Sequence, residues 1–418
     1  MFKRFGRISA LVVLLCIVLA GGVAAKEVTL RYMTWGQPII LASMRESIAE
    51  FEAANPGIKV ELILPPSGTD YYGKLDAYIA GRQMPDVVRL EWEDVMRYAS
   101  AGALMDLGKF GPDSDDFVDA MKTAVTYKDK LYGLPWHTDT IGIFYNKTLV
   151  EAAGIQVPTS IDEAWTWEEL TEATKQAQAH GAKWGLAFGD KTQFVRSAIY
   201  QNGASLYTAD GSKPNVNTPE FEGAIDWILE LHRSGVSPAA GWQEIESASD
   251  MFKVGDVAFL VDGSWMLRHF HDTIDTFDLG VTYIFRGKEQ AQPFGGSLIG
   301  IAGTTKHAKE AYAFADFLTS KAGGTKIAQD INFLPVRKSL VEEGVEYPQH
   351  KEAMKLFGEG LMTVPDILVN EQLHPAHSQT LSILEDVLNV AVAEQWDAAK
   401  TCAKIDSEMT DVMKRVRR

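Results

Sequence analysis

The sequence predicts an α/β fold with more than one domain, and three observations lead to this prediction. The chain has 418 residues, enough for two or more domains of roughly 150 residues each. Hydrophobic residues make up 46% of the chain and charged residues 23%, proportions that are typical of globular proteins and exclude a disordered chain or a polytopic membrane protein. Stretches with the two-residue period of strands alternate with stretches of helical period, as in proteins whose sheets are covered by helices.

The first alternation in the chain predicts a strand, a helix and a second strand. Apolar and polar side chains alternate over residues 28–32 and 58–64, and both stretches are predicted to be strands. Between them, apolar residues recur at helical spacing over residues 41–51, and Asn-Pro-Gly at 55–57 ends that helix. This βαβ order predicts a largely parallel sheet with helices on its faces.

The rest of the chain repeats this pattern and predicts a second α/β unit. Thr218-Pro219 has the cap residue and first-turn proline that are typical of a helix start. The remaining predicted elements are strands near residues 85–88 and 257–261, and helices over residues 71–81, 95–101, 165–179 and from 378 to the basic C-terminus.

The N-terminus has the organisation of a secretory signal peptide. Lys3, Arg4 and Arg7 precede an apolar run over residues 8–20, and the small residues 21–25 follow. The apolar run is shorter than the ~20 residues of a membrane-spanning helix. Residues 1–25 are therefore predicted to be removed, which leaves a soluble periplasmic protein.

The two cysteines indicate neither a lipid anchor nor an internal disulfide. Cys16 follows Leu15 inside the apolar run, whereas a lipoprotein has a small residue before the modified cysteine. Cleavage after Ala25 leaves Cys402 as the one cysteine of the mature chain. The exported protein must therefore be stabilised by its core.

The charge balance excludes nucleic acid as a partner. The chain has 40 Lys and Arg against 56 Asp and Glu, a formal charge of −16, and removal of the signal peptide takes away positive charges only. Such a surface repels phosphate backbones.

Sequence motifs for catalysis or metal binding are incomplete. The glycines at 102 and 108 are spaced too widely for a phosphate loop, and residues 295–300 are one residue too long for a nucleophile elbow. The histidine pairs at 269/271 and 374/377 lack the surroundings of a zinc site. Glu91 and Glu93 flank Trp92, which leaves two interpretations: a glycosidase carboxylate pair, or acceptors for a bound ligand.

Several of the ten tryptophans follow predicted strands. Ligands of open α/β sheets bind outside the carboxyl ends of strands. Indoles cover the C–H faces of a pyranose, while carboxylates accept hydrogen bonds from its hydroxyls. Tryptophans and acids at strand ends therefore favour a carbohydrate site, although any one tryptophan could instead fill the core. The tryptophans concerned are Trp35, Trp92, Trp136 and Trp265.

In their order along the chain, five segments resemble the extracellular solute-binding proteins of ABC transporters, in the carbohydrate-binding family 1 group that includes maltose-binding protein. The similarity covers nearly the whole mature chain. The segments are residues 51–60, 85–88 with 101–104, 132–136 with 145–147, 255–265, and 293–300 with 334–337.

The resemblance implies a two-lobed periplasmic binding protein fold. Each lobe would be a sheet flanked by helices, and crossovers near Asp139, Leu298 and Asn332 would join the lobes. Residues 26–138 and 299–332 would form the N-terminal lobe. Residues 139–298 and 333–418 would form the C-terminal lobe.

The resemblance also implies ligand contacts between the lobes. Trp265 matches a stacking tryptophan of the family, and Asp139 lies where maltose-binding protein has a longer, ligand-contacting glutamate. Glu91 and Trp92 fall in a turn that supplies polar contacts. Gly295 and Gly296 match a loop in which backbone amides approach the ligand.

Further candidates for ligand contact are less specific. They are Trp35, Asp70, Trp242 and Arg337. Arg337 could bind two hydroxyls or a carboxylate of the ligand, or pair with a structural acid.

The expected function is capture of a carbohydrate and its delivery to the membrane permease of an ABC importer. The protein would be a monomer without cofactor, metal or catalytic activity. Two alternatives remain open: a binding protein for a polyol, a glycerol phosphate or a polyamine, and a secreted glycan-degrading enzyme.

Overall fold

The computed structural model describes residues 27–65, 68–242 and 247–416. The predicted signal peptide lies outside this part of the chain. The described strands are β1 (Val28–Met33), β2 (Ile58–Ile63), β3 (Val87–Glu91), β4 (Thr126–Tyr127), β5 (Lys130–Leu131), β6 (Leu134–Asp139), β7 (Ile141–Asn146), β8 (Trp184–Phe188), β9 (Val257–Gly263), β10 (Leu279–Thr282) and β11 (Gly295–Ile301).

The α-helices cover the sheets and form most of the C-terminal third. They are α1 (Pro38–Ala54), α2 (Gly68–Ala80), α3 (Val95–Ser100), α4 (Asp119–Ala124), α5 (Lys147–Ala152), α6 (Trp167–Ala179), α7 (Lys191–Gln201), α8 (Pro219–Arg233), α9 (Ala239–Trp242), α10 (Ala248–Lys253), α11 (Leu267–Thr273), α12 (Ala308–Thr319), α13 (Lys321–Ile331), α14 (Lys338–Glu343), α15 (Lys351–Leu361), α16 (Asp366–Gln372), α17 (His377–Glu394) and α18 (Ala398–Val416). Within the described residues, none of these helices has the length and apolarity needed to cross a bilayer.

The first βαβ unit forms as the sequence predicts. β1 and β2 pair in parallel, with Val28 opposite Ile58. Helix α1 starts at Pro38, whose fixed φ suits a first helical turn. It buries one apolar face and ends at Asn55, whose backbone N–H donates to Phe51 O and Glu52 O.

In each main sheet one strand runs opposite to the others, so the prediction of largely parallel sheets holds for most strands and fails for β11 and β7. The first has the order β2-β1-β3-β11-β6, and β11 runs antiparallel to both β3 and β6. The second has the order β10-β7-β9-β8, and only β8 and β9 pair in parallel. The reason lies in the connections between the sheets. β6 leaves the first sheet and continues through Thr140 into β7 of the second, whereas β11 returns from the second sheet to the first and so runs opposite to β6.

Each main sheet has its own apolar core. Leu30, Val88 and Leu298 belong to the core of the first sheet, whereas Ile143 and Phe259 belong to a core of the second. Trp265 packs against both. β11 joins the first sheet from Gly295 onward, so the predicted boundary between residues 298 and 299 falls inside a strand. The division of the chain into lobes remains a proposal.

Candidate functional site

Five carboxylates lie at or just beyond the carboxyl ends of strands from both sheets. The charges of Asp190 and Glu93 raise the pKa of Asp139. The charge of Asp190 also raises the pKa values of Glu91 and Asp262. Charges that influence one another in this way lie near one another. We call them the acidic cluster: Glu91, Glu93, Asp139, Asp190 and Asp262. The carboxyl ends of strands from the two sheets therefore lie close together, and we call the region between them, where the acidic cluster lies, the cleft.

Asp139 ends β6 at the point where the chain passes to the second sheet. The residue is 4% exposed, and its Oδ1 has no hydrogen-bond partner among the described residues. Burial, followed by the charges of Asp190 and Glu93, raises the pKa of Asp139 well above its usual value. Its Oδ2 lies 3.7 Å from His137 Nδ1. Burial lowers the pKa of His137 well below its usual value, so the imidazole is neutral and forms no ion pair with Asp139.

The backbone beside Asp139 requires glycine. Gly295 pairs directly with Asp139 in the sheet, and a Cβ at Gly295 would overlap Asp139 Oδ1 and lie 2.6 Å from Gln193 Nε2. Gly296 has a φ of +115° and would place a Cβ 2.8 Å from the indole nitrogen of Trp92. The two glycines therefore allow β11 to run close to the cluster.

Asp190 and Asp262 were not predicted as site residues. Asp190 caps α7 by accepting a 2.8 Å hydrogen bond from Gln193 N, and burial raises its pKa. Asp262 accepts a 2.8 Å hydrogen bond from Gly263 N, and burial raises its pKa to about 7. A Cβ on Gly189 would overlap the Asp262 carboxylate. The signal available in the sequence was an acid at the end of an apolar strand.

Glu91 and Glu93 have different partners. Burial and then the charges of Glu93 and Asp94 raise the pKa of Glu91 well above its usual value. Glu93 Oε1 accepts a 2.7 Å ion-paired hydrogen bond from Arg196 Nη1. Arg196 belongs to α7, so this ion pair connects the first sheet's side of the cleft with the second. Ser378 Oγ of α17, which donates to Asp94 Oδ1 at 2.6 Å, adds a second connection.

Two half-buried indoles border the acidic cluster. Trp265 follows β9 and contacts apolar residues of both sheets, so it lies between them. Trp35 follows β1 and packs its ring edge-on to Tyr71, with 4.6 Å between ring centres. The guanidinium of Arg89 lies 4.1 Å from the centre of the Trp35 ring. Part of each indole remains accessible to a ligand.

Two other predicted tryptophans are buried in the cores. Trp92 donates its indole N–H to Gly295 O at 2.8 Å and is 0% exposed. Trp242 packs against Phe188 and His232 in the second core and is 2% exposed. The structure does not bring either ring surface to the cleft.

The last two predicted site residues are Arg337, whose contacts lie away from the acidic cluster, and Asp70. Arg337 pairs with Asp116 at 3.0 Å, donates to Thr319 O at 2.7 Å and lies over the Phe117 ring. These contacts favour the structural of its two interpretations. Asp70 belongs to α2, and its side chain lies outside the described part of the chain.

The raised pKa of Asp262 predicts a specific pH dependence of stability. A carboxyl that titrates near pH 7 in the folded state and near pH 4 in the unfolded state stabilises the fold below pH 4 and loses that contribution as pH rises through 7. We therefore expect Asp262→Asn to gain thermal stability relative to wild type between pH 5 and pH 8.

The control for this prediction is Asp210→Asn. Asp210 is exposed, and hydrogen bonds from Thr208 and Ser212 lower its pKa to about 2. Above pH 5 Asp210 is ionised in both the folded and the unfolded state. The difference in thermal stability between Asp210→Asn and wild type should therefore be constant over this range. Thermal unfolding of wild type, Asp262→Asn and Asp210→Asn at several pH values measures these differences in stability. A difference between Asp262→Asn and wild type that does not change with pH would contradict the prediction.

Comparison with known proteins identifies the family. The model of the bacterial extracellular solute-binding protein family matches residues 46–355, well over half of the chain. The chain belongs to this family. The resemblance inferred from the sequence is thereby confirmed. The family consists of extracellular binding proteins rather than enzymes.

Curated relatives and solved structures agree with this assignment. The solute-binding protein is 25% identical over 334 residues to the maltotriose-binding protein of Pyrococcus abyssi, covering 78% of this chain and 69% of the relative. It is 24% identical to the galactooligosaccharide-binding protein of Bacillus subtilis, covering 80% of each chain.

Solved structures confirm the two-lobed periplasmic binding protein fold. An ABC substrate-binding protein from Listeria monocytogenes in complex with cycloalternan superposes with a TM-score of 0.81 at 23% identity, covering 93% of this chain and 100% of the other. The GacH receptor of Streptomyces glaucescens gives a TM-score of 0.81 at 22% identity, covering 93% and 99%.

Proposed function

We propose that this solute-binding protein is the periplasmic receptor of an ABC importer, which captures a carbohydrate between its lobes and delivers it to the membrane permease. The observation that carries the proposal is the position of half-buried Trp265, which contacts both cores and whose ring lies against Gly263, the residue that follows Asp262 of the acidic cluster. The names of relatives that bind maltotriose and galactooligosaccharides support it.

The chemistry of the cleft suits a sugar. An indole stacks on the apolar face of a pyranose ring, while carboxylates accept hydrogen bonds from the hydroxyls at its rim. Asp139 Oδ1 is buried and makes no hydrogen bond to any described residue, so a hydroxyl placed there would satisfy it. Such a bond contributes about 0.5–1.5 kcal/mol when Asp139 is protonated and about 1.5–3 kcal/mol when it is ionised.

The wider biological setting follows the sequence predictions. Residues 1–25 act as a cleaved signal peptide without lipid modification, and the mature receptor is a monomer free in the periplasm. It performs no catalysis. Glu93, one of the two acids in the glycosidase hypothesis, is tied to Arg196 by an ion pair, which weakens its suitability as a free acid or nucleophile.

A glycerol phosphate ligand is disfavoured by the state of Arg89. This guanidinium donates to Ser297 Oγ at 2.8 Å and to Trp35 O at 2.8 Å, and its third nitrogen lies 3.2 Å from His137 Nε2. A phosphate needs free donors of this kind, and the nitrogens of Arg89 already have these protein partners.

A thermal-shift screen tests the proposal. The panel contains mono-, di- and oligosaccharides, polyols, glycerol phosphate and a polyamine. At 100 times its Kd a true ligand stabilises the folded protein by about 2.7 kcal/mol. We expect at least one carbohydrate to do so and to be recovered unchanged by chromatography. Stabilisation by glycerol phosphate or polyamine alone, or conversion of the sugar into product, would contradict the proposal.

A further inference from the structure

We infer that the ion pair between Glu93 and Arg196 holds the two sides of the cleft together in the closed form and so limits how fast a captured carbohydrate leaves. We call these two residues the cross-cleft pair. The inference rests on the proposed function and adds a positioning role to it, because neither residue has to contact the sugar for the pair to act.

The two residues of the cross-cleft pair belong to different sides of the cleft. Glu93 lies in the short 3-10 turn Trp92–Asp94, which directly follows β3 of the first sheet. Arg196 lies in α7, whose apolar residues belong to the second core except Tyr200, which packs with the first. The 2.7 Å hydrogen bond from Arg196 Nη1 to Glu93 Oε1 therefore forms only when the two sides are in contact.

The turn that carries Glu93 is attached firmly to the first sheet. Trp92 is buried in the first core and donates its indole N–H to Gly295 O of β11 at 2.8 Å. The next residue but one, Asp94, accepts a 2.6 Å hydrogen bond from Ser378 Oγ at the start of α17, a helix that packs on the second core. Three successive residues thus anchor the turn on one side of the cleft and bond twice to the other side.

The buried charge of Arg196 needs this partner. The Arg196 side chain is 0% exposed and that of Glu93 is 14% exposed. Among the described residues, Glu93 is the one acid within salt-bridge distance of Arg196, and Arg196 Nε and Nη2 have no hydrogen-bond partner. Without Glu93 the closed form would bury an unpaired guanidinium, which costs far more than burying the pair. Water hydrates both groups when the sides separate, so this penalty falls on the closed form alone.

Glu371 is a second acid near Arg196, but it has other partners. Its carboxylate accepts hydrogen bonds from Tyr200 Oη and from the backbone N–H groups of residues 206 and 207. Burial raises the pKa of Glu371, and the charge of Arg196 opposes this rise. Glu371 could replace Glu93 only by giving up these three hydrogen bonds.

The cross-cleft pair should act on dissociation of the sugar and not on its association. A sugar enters the open cleft, where the pair is not formed, and leaves only after the cleft reopens. Loss of either partner should therefore raise the dissociation rate roughly tenfold or more and change the association rate little. Replacement of both partners by apolar residues of similar length also removes the unpaired charge, so the dissociation rate should return toward the wild-type value.

A double-mutant cycle tests the inference. The variants are Glu93→Met, Arg196→Met and the double variant, because methionine is unbranched and adapts to its surroundings. If Glu93→Met does not fold, Glu93→Gln replaces it in the same comparisons. Stopped-flow tryptophan fluorescence with maltose, maltotriose and galactotriose measures both rate constants. Each single variant should release its sugar roughly ten times faster or more, and the double variant should lie within about threefold of wild type.

Asp116→Asn is the matched control. Asp116 pairs with Arg337 at 3.0 Å, and the two side chains are 20% and 8% exposed, close to the values for the cross-cleft pair. Their sequence neighbours Phe117 and Val336 both belong to the first core, so this ion pair does not cross the cleft. Asp116→Asn should lower the unfolding temperature and leave the dissociation rate of the sugar unchanged.

Each outcome separates the inference from the proposed function. Single variants that release the sugar as slowly as wild type overturn the inference and leave carbohydrate capture intact. A double variant as fast as the single variants also overturns it, because these residues would then act by contacting the sugar. If none of the three sugars binds, small-angle scattering on the unliganded proteins decides. Glu93→Met should then have a larger radius of gyration than wild type and the double variant, and equal radii overturn the inference. The proposed function itself fails only if the wider screen finds no carbohydrate.

Discussion

Trp265→Ala is expected to reduce ligand affinity by at least thirtyfold, about 2 kcal/mol, while the protein still folds. The indole lies between the two cores and keeps part of its surface accessible. Its removal takes away the apolar surface that would cover a sugar ring. It also removes the stacking interaction, which contributes about 0.5–1.5 kcal/mol to binding in addition to the burial of apolar area. Calorimetry with the ligand found by the screen measures the loss.

Two further variants make this prediction specific. Trp265→Phe keeps an aromatic face and should lose less affinity. Trp396→Ala removes a partly buried indole between α17 and α18, where Lys400 lies over the ring, and should bind as wild type does. Unchanged affinity in a well-folded Trp265→Ala protein would exclude this tryptophan from the site.

Asp139→Ala is expected to weaken binding by roughly tenfold to a hundredfold. One oxygen of this buried side chain has no hydrogen bond to the described residues, and in its ionised form it can make a charge-assisted bond to a ligand hydroxyl, which contributes about 1.5–3 kcal/mol. Asp139→Asn should weaken a neutral ligand less, because the amide keeps one acceptor. Since folding raises the pKa of Asp139, neither change should destabilise the unliganded protein at pH 8. If both variants bind normally while Trp265→Ala does not, the acceptors are Glu91 or Glu93 instead.

The sequence predicted the order of elements better than the direction of the strands. The spacing of apolar residues predicted β1, α1 and β2. A strand or helix that buries one face needs apolar side chains at its own period, so this spacing is visible in the sequence. The same two-residue period occurs in parallel and antiparallel strands. The antiparallel β11 and the crossing from β6 to β7 therefore left no local signal, and the mixed sheets became evident only from the pairing.

The candidate site shows a similar limit. Trp35, Trp92, Trp242 and Trp265 were all candidates for ligand contact, yet Trp92 and Trp242 are fully buried while Trp35 and Trp265 are half-buried. Packing around the ring decides this difference, and local pattern does not encode it. Asp190 was missed because an acid before a helix is usually explained by capping, and here it also caps α7.

Small-angle scattering on the unliganded and ligand-saturated protein tests the central claim most directly. Two sheets with separate cores, joined by β6–β7, can move as rigid bodies, and a ligand that contacts both sides of the cleft stabilises the closed form. The radius of gyration should fall when the carbohydrate is added to wild type and should stay constant for Trp265→Ala at the same concentration. A wild-type protein whose radius does not change at saturation would contradict capture by closure of the cleft.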